Sequence, residues 1–230
     1  MPRTHGDQVS AINAAIDSRL GEVATWEMWP GGWPGQIEMC LVDAIFSANA
    51  KYGRPATEDR RATGVHAVLA SLRSKRSEEP LDDLKALATL IDRESGALGS
   101  RQLSPGTKVL KDETVRRAAE VLLQYRVRTS VDLAAALASD EALRKGPPQR
   151  VPGVGSVTWE YFLMLAGHQG IKADRMVVGF VNSALDDALL GSVDSTGASQ
   201  LLKDIAAKRG VAQVDLDHAI WSVQRKRHDL

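Results

Sequence analysis

The amino-acid sequence predicts an all-α fold, and three observations support this class. Apolar residues recur at helical spacing over most of the chain, starting with the stripe Val9, Ile12 and Ile16. No β-branched run alternates with polar residues over a useful length, so the sequence carries few strand signals. Segments rich in Gly and Pro, such as 26–35 and 94–106, separate the helical stretches.

The helices are expected in the following order. The first contains the stripe that starts at Val9, and a Trp/Pro/Gly loop over 26–35 follows it. Pro34 suits the start of the second helix, because its φ angle is already close to helical. The remaining helices are predicted over approximately 35–50, 58–72, 80–94, 112–125, 130–139, 156–167, 174–189, 198–209 and 215–227.

Composition places the chain among ordinary soluble proteins. It has 230 residues, 43% apolar and 25% charged, which suffices for one large domain or two small ones. Lys+Arg and Asp+Glu both number 29, so net charge does not favour nucleic-acid binding, and such a function must rely on local basic patches. The single cysteine, Cys40, excludes an intrachain disulfide framework and a site with several cysteine ligands.

The sequence also bears on location and domain organisation. The first residues lack an apolar signal segment, and no stretch approaches the ~18 apolar residues of a membrane helix. We therefore expect a cytoplasmic monomer with no membrane partner. The linker-like stretch 94–106 predicts an N-terminal helical lobe over 1–100 and a second lobe over 101–230, together one compact unit. The C-terminal helices could also rejoin the first lobe.

The most informative segment is the turn Pro152-Gly153-Val154-Gly155, which opens a helix at Ser156. Free backbone amides at a helix N-terminus favour an anion, and glycine lets a phosphate approach closely. Three basic residues precede the turn: Arg144, Lys145 and Arg150. The alternative is a tight interhelical turn that needs glycine only for its φ angles. The basic flank favours contact with phosphate groups.

The turn and the downstream aspartate together resemble the signature of the HhH-GPD superfamily of base-excision DNA glycosylases, a helix-hairpin-helix followed by Gly/Pro and Asp. The resemblance implies a two-lobed helical glycosylase-like fold, a cleft between the lobes, and double-stranded DNA as the partner. It also implies that a monovalent cation can bind to the carbonyls of the hairpin turn. The DNA-binding residues implied by the motif are Arg150, Pro152, Gly153, Val154, Gly155, Ser156 and Thr158.

Asp174 is the candidate catalytic residue, because the essential aspartate of the family lies at this point of the motif. A carboxylate at a cleft can stabilise the positive charge that develops on a sugar as its glycosidic bond breaks. It can also orient or activate the attacking water. The alternative is that Asp174 only caps the helix that follows it, a role worth ~1 kcal/mol.

The bifunctional members of the family carry a lysine where this chain has Val157. Valine cannot form a Schiff base, so the resemblance implies a monofunctional enzyme that leaves an abasic site and has no β-lyase activity. The single Cys40 excludes the four-cysteine iron–sulfur cluster of some relatives, and we expect no metal site and no cofactor beyond the cation at the turn. Trp159 replaces a residue that is usually small, which alters the local packing or the shape of a pocket.

The helix predicted over 35–50 is similar to the glycosylase helix that ends in Leu-Ser-x-Gln, and Asn49 stands in place of the glutamine. In the family that amide enters the duplex and fills the space left by the flipped base. The alternative is that Asn49 is a helix C-terminal residue, where Asn is favoured in any case. The segment 217–221, Asp-x-x-x-Trp, is similar to a packing helix of the same superfamily.

Four residues are candidates for the base pocket: Asp43, Trp29, Trp33 and Trp159. Asp43 interrupts an apolar helix, and a buried carboxylate must be paired or hydrogen-bonded. It therefore either forms a structural pair with an arginine or contacts the base. Trp29 and Trp33 either stack on a flipped base, as aromatic residues do in such pockets, or cover a core.

We therefore expect a monofunctional DNA glycosylase of DNA repair, which flips a damaged or modified base out of duplex DNA and hydrolyses its N-glycosidic bond. One alternative is a catalytically inactive helix-hairpin-helix DNA-binding protein. Another is a defence glycosylase that acts on modified foreign DNA, such as phage DNA. A protein–protein module would use the hairpin only as structure.

Overall fold

The computed structural model describes residues 4–76, 79–94, 96–144 and 146–228, and over this part of the chain it confirms the all-α class. Two isolated β-bridges occur in it, Thr57 with Arg60 and Leu103 with Leu110. None of the described helices is long and apolar enough to cross a membrane. The α-helices are α1 (His5–Leu20), α2 (Ile37–Ser47), α3 (Val65–Lys75), α4 (Leu84–Arg93), α5 (Lys111–Gln124), α6 (Ser130–Ser139), α7 (Glu141–Arg144), α8 (Ser156–Leu165), α9 (Arg175–Asp187), α10 (Ser195–Arg209) and α11 (Gln213–His228), and two 3₁₀ turns cover Val23–Thr25 and Pro147–Arg150.

Side-chain caps fix the start of several helices, because the first amides of a helix have no acceptor within it. Thr4 begins α1 with a capping box in which Thr4 and Asp7 each bond the other's backbone amide. Thr129 and Asp132 begin α6 in the same way. Because such caps depend only on residues close together in the sequence, they can be recognised from it. The observed bounds of α6 agree with the predicted 130–139.

The start of α3 differs from the sequence prediction, which placed a helix over 58–72. The chain before Val65 instead doubles back, with Thr63 N donating to Arg54 O at 3.0 Å and Val65 N donating to Tyr52 O at 2.9 Å. Gly64 has φ +60°, and a Cβ there would lie 2.4 Å from the Lys51 carbonyl oxygen. The close approach of these two backbone segments prevents a helix from starting earlier.

The chain divides into two compact units, unit 1 (Met1–Pro30 with His168–Leu230) and unit 2 (Gly31–Gly167). These bounds differ from the division expected near residue 100. The linker-like stretch 94–106 lies inside unit 2 and is bonded to the start of α5. Leu98 N donates to Asp112 Oδ2 at 3.3 Å, and Lys111 N donates to Gln102 O at 2.8 Å.

Unit 1 contains α1, α9, α10 and α11, which pack on one another. Its apolar core combines the first helix with the last three, so the two ends of the chain fold together. Core residues that are completely buried include Ile12, Ile16, Phe180, Leu202, Ile205 and Ile220. The stripe that predicted α1 is therefore its buried face.

Unit 2 is built around α2, in which all ten residues from Ile37 to Phe46 are buried. α3, α4, α5 and α8 pack against this helix. A helix that is apolar on all sides must be enclosed by others, which explains the continuous apolar run in the sequence. Its polar groups, Glu38 and Asp43, are fully buried as well and must find partners inside the unit.

Residues far away in sequence satisfy the backbone at both ends of α2. At its start, Asp82 Oδ1 accepts from Ile37 N at 3.0 Å. At its end, the ammonium of Lys111 donates to the carbonyl oxygens of Phe46 and Ala48, at 2.8 and 2.7 Å. A cation at a helix C-terminus also interacts favourably with the helix dipole.

Glu38 is held in the core by Arg76, the C-cap residue that directly follows α3. Arg76 donates from Nε and Nη2 to the two carboxylate oxygens, each at 3.1 Å, and Asp83 N donates to Oε1 at the same distance. Burial raises the pKa of Glu38, while the Arg76 guanidinium opposes that rise. The pair therefore connects α2, α3 and the start of α4.

Arg76→Met should destabilise the protein by about 3–5 kcal/mol, because it leaves the Glu38 carboxylate buried without its cation. Urea denaturation measures the change. Arg101→Met, at an exposed arginine outside this pair, should change the free energy of unfolding by less than ~0.5 kcal/mol. Adding Glu38→Gln to Arg76→Met should recover part of the loss. Equal stability of wild type and Arg76→Met would contradict this account.

The buried Lys111 predicts a pH-dependent contribution to stability. Burial lowers the pKa of Lys111 to about 8 in the folded protein, and a lysine in the unfolded chain has a pKa of about 10.4. Between these values the unfolded state binds more protons, so the free energy of unfolding rises with pH. The stability of wild type relative to Lys111→Met should therefore increase from about pH 8 to about pH 10.5 in urea denaturation. A difference that stays constant over this range would refute the assignment.

Candidate functional site

The hairpin turn leaves the N-terminus of α8 open. Gly155 precedes the first residue of the helix in extended conformation, and no side chain caps the helix there. Within the described residues, the amides of Ser156, Val157 and Thr158 donate to no backbone or side-chain acceptor that the structure records. Unbonded amides at the positive end of a helix dipole form an anion-binding arrangement.

The two glycines of the turn, Gly153 and Gly155, differ in whether backbone conformation and packing require glycine there. Gly153 has φ +93°, and a Cβ there would lie 2.5 Å from Ser104 Cβ, so both its backbone and its surroundings need glycine. Gly155 has φ −102°, and a Cβ there would meet no atom within 4 Å. Steric packing therefore explains Gly153, whereas no neighbouring atom requires glycine at Gly155.

A series of contacts connects the turn to the C-terminal end of α2. Gly153 lies against Ser104, whose hydroxyl is 2.6 Å from that of Thr114 in the first turn of α5. Lys111, the first residue of α5, holds the last carbonyls of α2. At the other end of α8, Leu165 O accepts from Trp33 N at 2.7 Å, just before α2 begins. The N-terminus of α8 and the C-terminus of α2 therefore lie at the same end of unit 2.

Asn49 follows α2 at this end, as an exposed residue with φ +51°. Asn tolerates this left-handed conformation better than most residues. The backbone that carries it is fixed, because Lys111 bonds the carbonyl of the preceding Ala48. Sequence reasoning missed Leu103, whose side chain is 53% exposed beside Ser104 and gives this end of unit 2 an apolar element.

The other hairpin residues have distinct environments. Pro152 and Ser156 are exposed, Thr158 is half-buried, and Val154 is buried. Arg150 is also exposed and available for an anion.

Of the other basic residues before the turn, Arg144 donates to Leu137 O at 2.6 Å and to Ala138 O at 2.7 Å, so it caps the end of α6 instead. Lys145 lies outside the described residues.

Asp174 lies in unit 1, where it caps α9. Its Oδ1 accepts from Met176 N at 2.8 Å and from Val177 N at 3.3 Å. Its Oδ2 accepts no hydrogen bond from the described residues. Asp194 begins α10 with nearly the same backbone angles and caps Gly197 N at 2.8 Å. The capping role of Asp174 is therefore a repeated structural device, and only the second carboxylate oxygen is available for another function.

Asp43 is fully buried in unit 2 and accepts hydrogen bonds from two aromatic side chains. Its Oδ2 accepts from Trp33 Nε1 at 2.9 Å and from the Tyr52 hydroxyl at 2.6 Å. Burial and the neighbouring carboxylate raise the pKa of Tyr52, so this phenol remains a donor. Tyr161 of α8 also bonds Tyr52, and the His66 ring meets the Tyr52 ring edge-on with centroids 5.0 Å apart.

The three tryptophan candidates do not form one surface. Trp33 is half-buried and lies under the Arg73 guanidinium, 5.1 Å from its ring centroid. Trp159 is buried against Phe162 with centroids 5.3 Å apart, as part of the packing of α8. Trp29 belongs to unit 1, where its ring meets His218 at 5.6 Å. Of the pocket candidates, the structure brings only Asp43 and Trp33 into contact.

Tyr52, Tyr161 and Lys111 were missed by sequence reasoning. Tyr52 follows a helix end in a loop, and Lys111 begins an amphipathic helix, so neither position suggests burial. The aromatic residues could have been found by asking which donors satisfy the buried Asp43. The described residues contain no group of three or more His, Cys, Asp or Glu side chains arranged to hold a metal ion.

The model of a family described as a domain of unknown function, DUF8548, matches residues 10–225. No curated protein matches the chain.

Gly153→Ala should destabilise the protein by about 1–3 kcal/mol, because alanine is strained at this positive φ and its Cβ would overlap Ser104. Gly155→Ala is the matched control, and it should change the free energy of unfolding by less than ~0.5 kcal/mol in urea denaturation. Equal effects of the two substitutions would refute the distinction drawn between the glycines.

Proposed function

The chain belongs to the DUF8548 family, whose model spans most of its length, and we propose that it is a monofunctional DNA N-glycosylase. The observation that carries this proposal is the open N-terminus of α8 behind Gly155, a glycine that no internal contact requires. A ligand that must approach the backbone closely accounts for glycine at this position. The resemblance of the hairpin to that of base-excision glycosylases makes this ligand a DNA phosphate.

Phosphate binding is the first step of the proposed activity. The amides of Ser156 and Val157 point outward from the start of α8, and a phosphate oxygen there would accept from them while the helix dipole favours its charge. Exposed Arg150 adds a cation without an ion-pair partner among the described residues. Such contacts position a duplex without reading its sequence.

Insertion into the duplex is the second step. Asn49 lies at the same end of unit 2 as the hairpin, on backbone that Lys111 holds in place. Its exposed amide has both donors and an acceptor, which suit the base left without a partner after flipping. The exposed Leu103 would contribute an apolar contact at the same face.

The flipped base would stack on aromatic side chains that the buried Asp43 positions. Trp33 and Tyr52 are half-buried and both donate to Asp43 Oδ2, which orients them while the carboxylate itself stays enclosed. Pockets for flipped bases use such polar and aromatic groups.

Hydrolysis is assigned to Asp174. With Oδ1 committed to capping α9, Oδ2 would stabilise the positive charge on the sugar as the bond to the base breaks. Water then adds to C1′, its proton passes to the carboxylate, and the bonding electrons leave with the base. Val157 offers no amine for a covalent intermediate, so the product is an abasic site and the strand is not cleaved.

Asp174→Asn should abolish excision while the protein remains folded, because asparagine caps a helix about as well as aspartate. The measurement is excision on duplexes that each contain one damaged or modified base, with alkali cleavage of the abasic product. Asp194→Asn is the matched control: it makes the same change at an equivalent helix cap in unit 1 and should retain activity. Full excision by Asp174→Asn would refute the catalytic assignment.

A companion variant tests DNA binding. Gly155→Glu places a carboxylate before the open amides and should weaken duplex binding by about tenfold or more, which corresponds to ~1.4 kcal/mol. Gly155→Ala should affect binding less, with only the small change in stability expected above. Wild-type binding that depends on Gly155, without excision of any base in a broad panel, would favour the non-catalytic DNA-binding protein instead.

A further inference from the structure

A second charged region of unit 2 takes no part in the proposed excision. It is an open pocket of about 450 Å³ between the C-terminal end of α3 and the outward face of α4. Among the described residues, five basic side chains and one carboxylate, that of Asp83, line it. The basic residues are Lys75, Arg76, Lys85, Arg93 and Arg128.

Three of these cations have a carboxylate partner. Lys75 pairs with Glu94 at 2.6 Å, in addition to the buried pair of Arg76 with Glu38 described above. Arg128 donates from Nε and Nη2 to the two oxygens of Asp83.

In both arginine pairs the guanidinium uses Nε and Nη2, which leaves Nη1 for another acceptor. Each arginine is thus oriented by its carboxylate and still able to bind an anion.

The remaining two cations have no such partner. Lys85 and Arg93 are exposed, and within the described part of the chain neither forms an ion pair. They lie eight residues apart on α4, on one face with Thr89 between them, which separates their Cα atoms by about 12 Å along the helix. The pocket is therefore an elongated row of donors whose charge is not fully compensated.

The lining also excludes some ligands. The described residues that line it include no aromatic side chain, so a base or other planar ring has no surface there on which to stack. Its apolar residues are Ala86 and Leu90, which give little area for an apolar ligand. A ligand that matches this lining carries several negative charges along an extended chain.

The pocket is distinct from the hairpin face, by which we mean the exposed surface of Gly155, Ser156 and Asn49 at the C-terminal end of α2. Arg76 and the Asp83 backbone both contact Glu38, in the first turn of α2. Asn49 lies beyond the other end of this 11-residue helix, which is about 16 Å long. The floor of the pocket and the hairpin face thus lie near opposite ends of α2.

We propose that this pocket binds a run of consecutive phosphate groups, with Lys85 and Arg93 as the principal cations and Arg76 and Arg128 contributing their remaining Nη1 donors. Two sources present this chemistry: the backbone of a nucleic acid, and a free oligophosphate. The site does not depend on the proposed excision activity.

The test compares two probes on the full chain, inorganic tripolyphosphate and a short DNA duplex. Lys85→Gln with Arg93→Gln should weaken tripolyphosphate binding, measured by calorimetry, by about tenfold or more. Arg101→Gln with Lys208→Gln is the charge-matched control, at two exposed cations outside the pocket, and it should change the affinity less than about twofold. All four residues are exposed, so the variants should fold, which circular dichroism verifies.

The duplex distinguishes the two sources. If the backbone of DNA is the ligand, the double variant should also reduce the slope of log affinity against log salt by about 2, one unit for each cation lost. An unchanged slope with weakened tripolyphosphate binding identifies a free oligophosphate. Gly155→Glu should leave intact the part of tripolyphosphate binding that depends on Lys85 and Arg93, so a failure of the hairpin proposal can be told apart from a failure of this one. Unchanged binding of both probes by Lys85→Gln with Arg93→Gln would overturn the proposal.

Discussion

The complete burial of α2 is the constraint on which the organisation of unit 2 depends. A helix enclosed on all sides gains apolar burial along its whole length, but each of its polar groups must then be satisfied without water. Glu38 and Asp43 cannot be satisfied by neighbours on the helix itself. Arg76, which follows α3, bonds Glu38, and Tyr52, in the loop after α2, bonds Asp43. Lys111 of α5 donates to the last carbonyl oxygens of α2. The polar contacts therefore specify which elements surround the helix, while the apolar residues supply most of the stabilisation.

The same requirement gives unit 2 two chemically different ends. At the C-terminal end of α2, Lys111 is used internally, and Asn49 and the amides behind Gly155 are presented outward. At the N-terminal end, the cations that satisfy Glu38 and Asp83 retain donors, and the outward face of α4 adds two more cations. Local charge thus separates along the helix although the whole chain has equal numbers of acidic and basic residues. On this basis a chain without net charge would offer the two phosphate sites proposed above.

Much of the helical structure could be predicted, because helical periodicity and capping are local properties of sequence. The capped α6 has its predicted bounds, and the stripe at Val9 is the buried face of α1. The predicted start of α3 was wrong, because backbone hydrogen bonds between residues 51–54 and 63–65 override the local helical preference.

For the candidate site, the sequence predicted which types of residue take part but not which of them lie together. The hairpin segment and Asp174 stand out in the sequence, but the donors to Asp43 come from positions nine and ten residues away on either side of it.

The sequence by itself determined the helical class, the single cysteine, the absence of a lysine at Val157, and the presence of a Pro-Gly-Val-Gly turn before a helix. These are properties of composition and of short-range spacing, which need no knowledge of neighbours. Only the tertiary structure decided that the first helix folds with the last three, that Gly153 serves packing while Gly155 leaves amides open, and that Lys111 is buried. Each of these depends on contacts between residues far apart in the chain. The burial of a side chain and its steric overlap with neighbours depend on which distant residues pack against it, and no local sequence pattern encodes this.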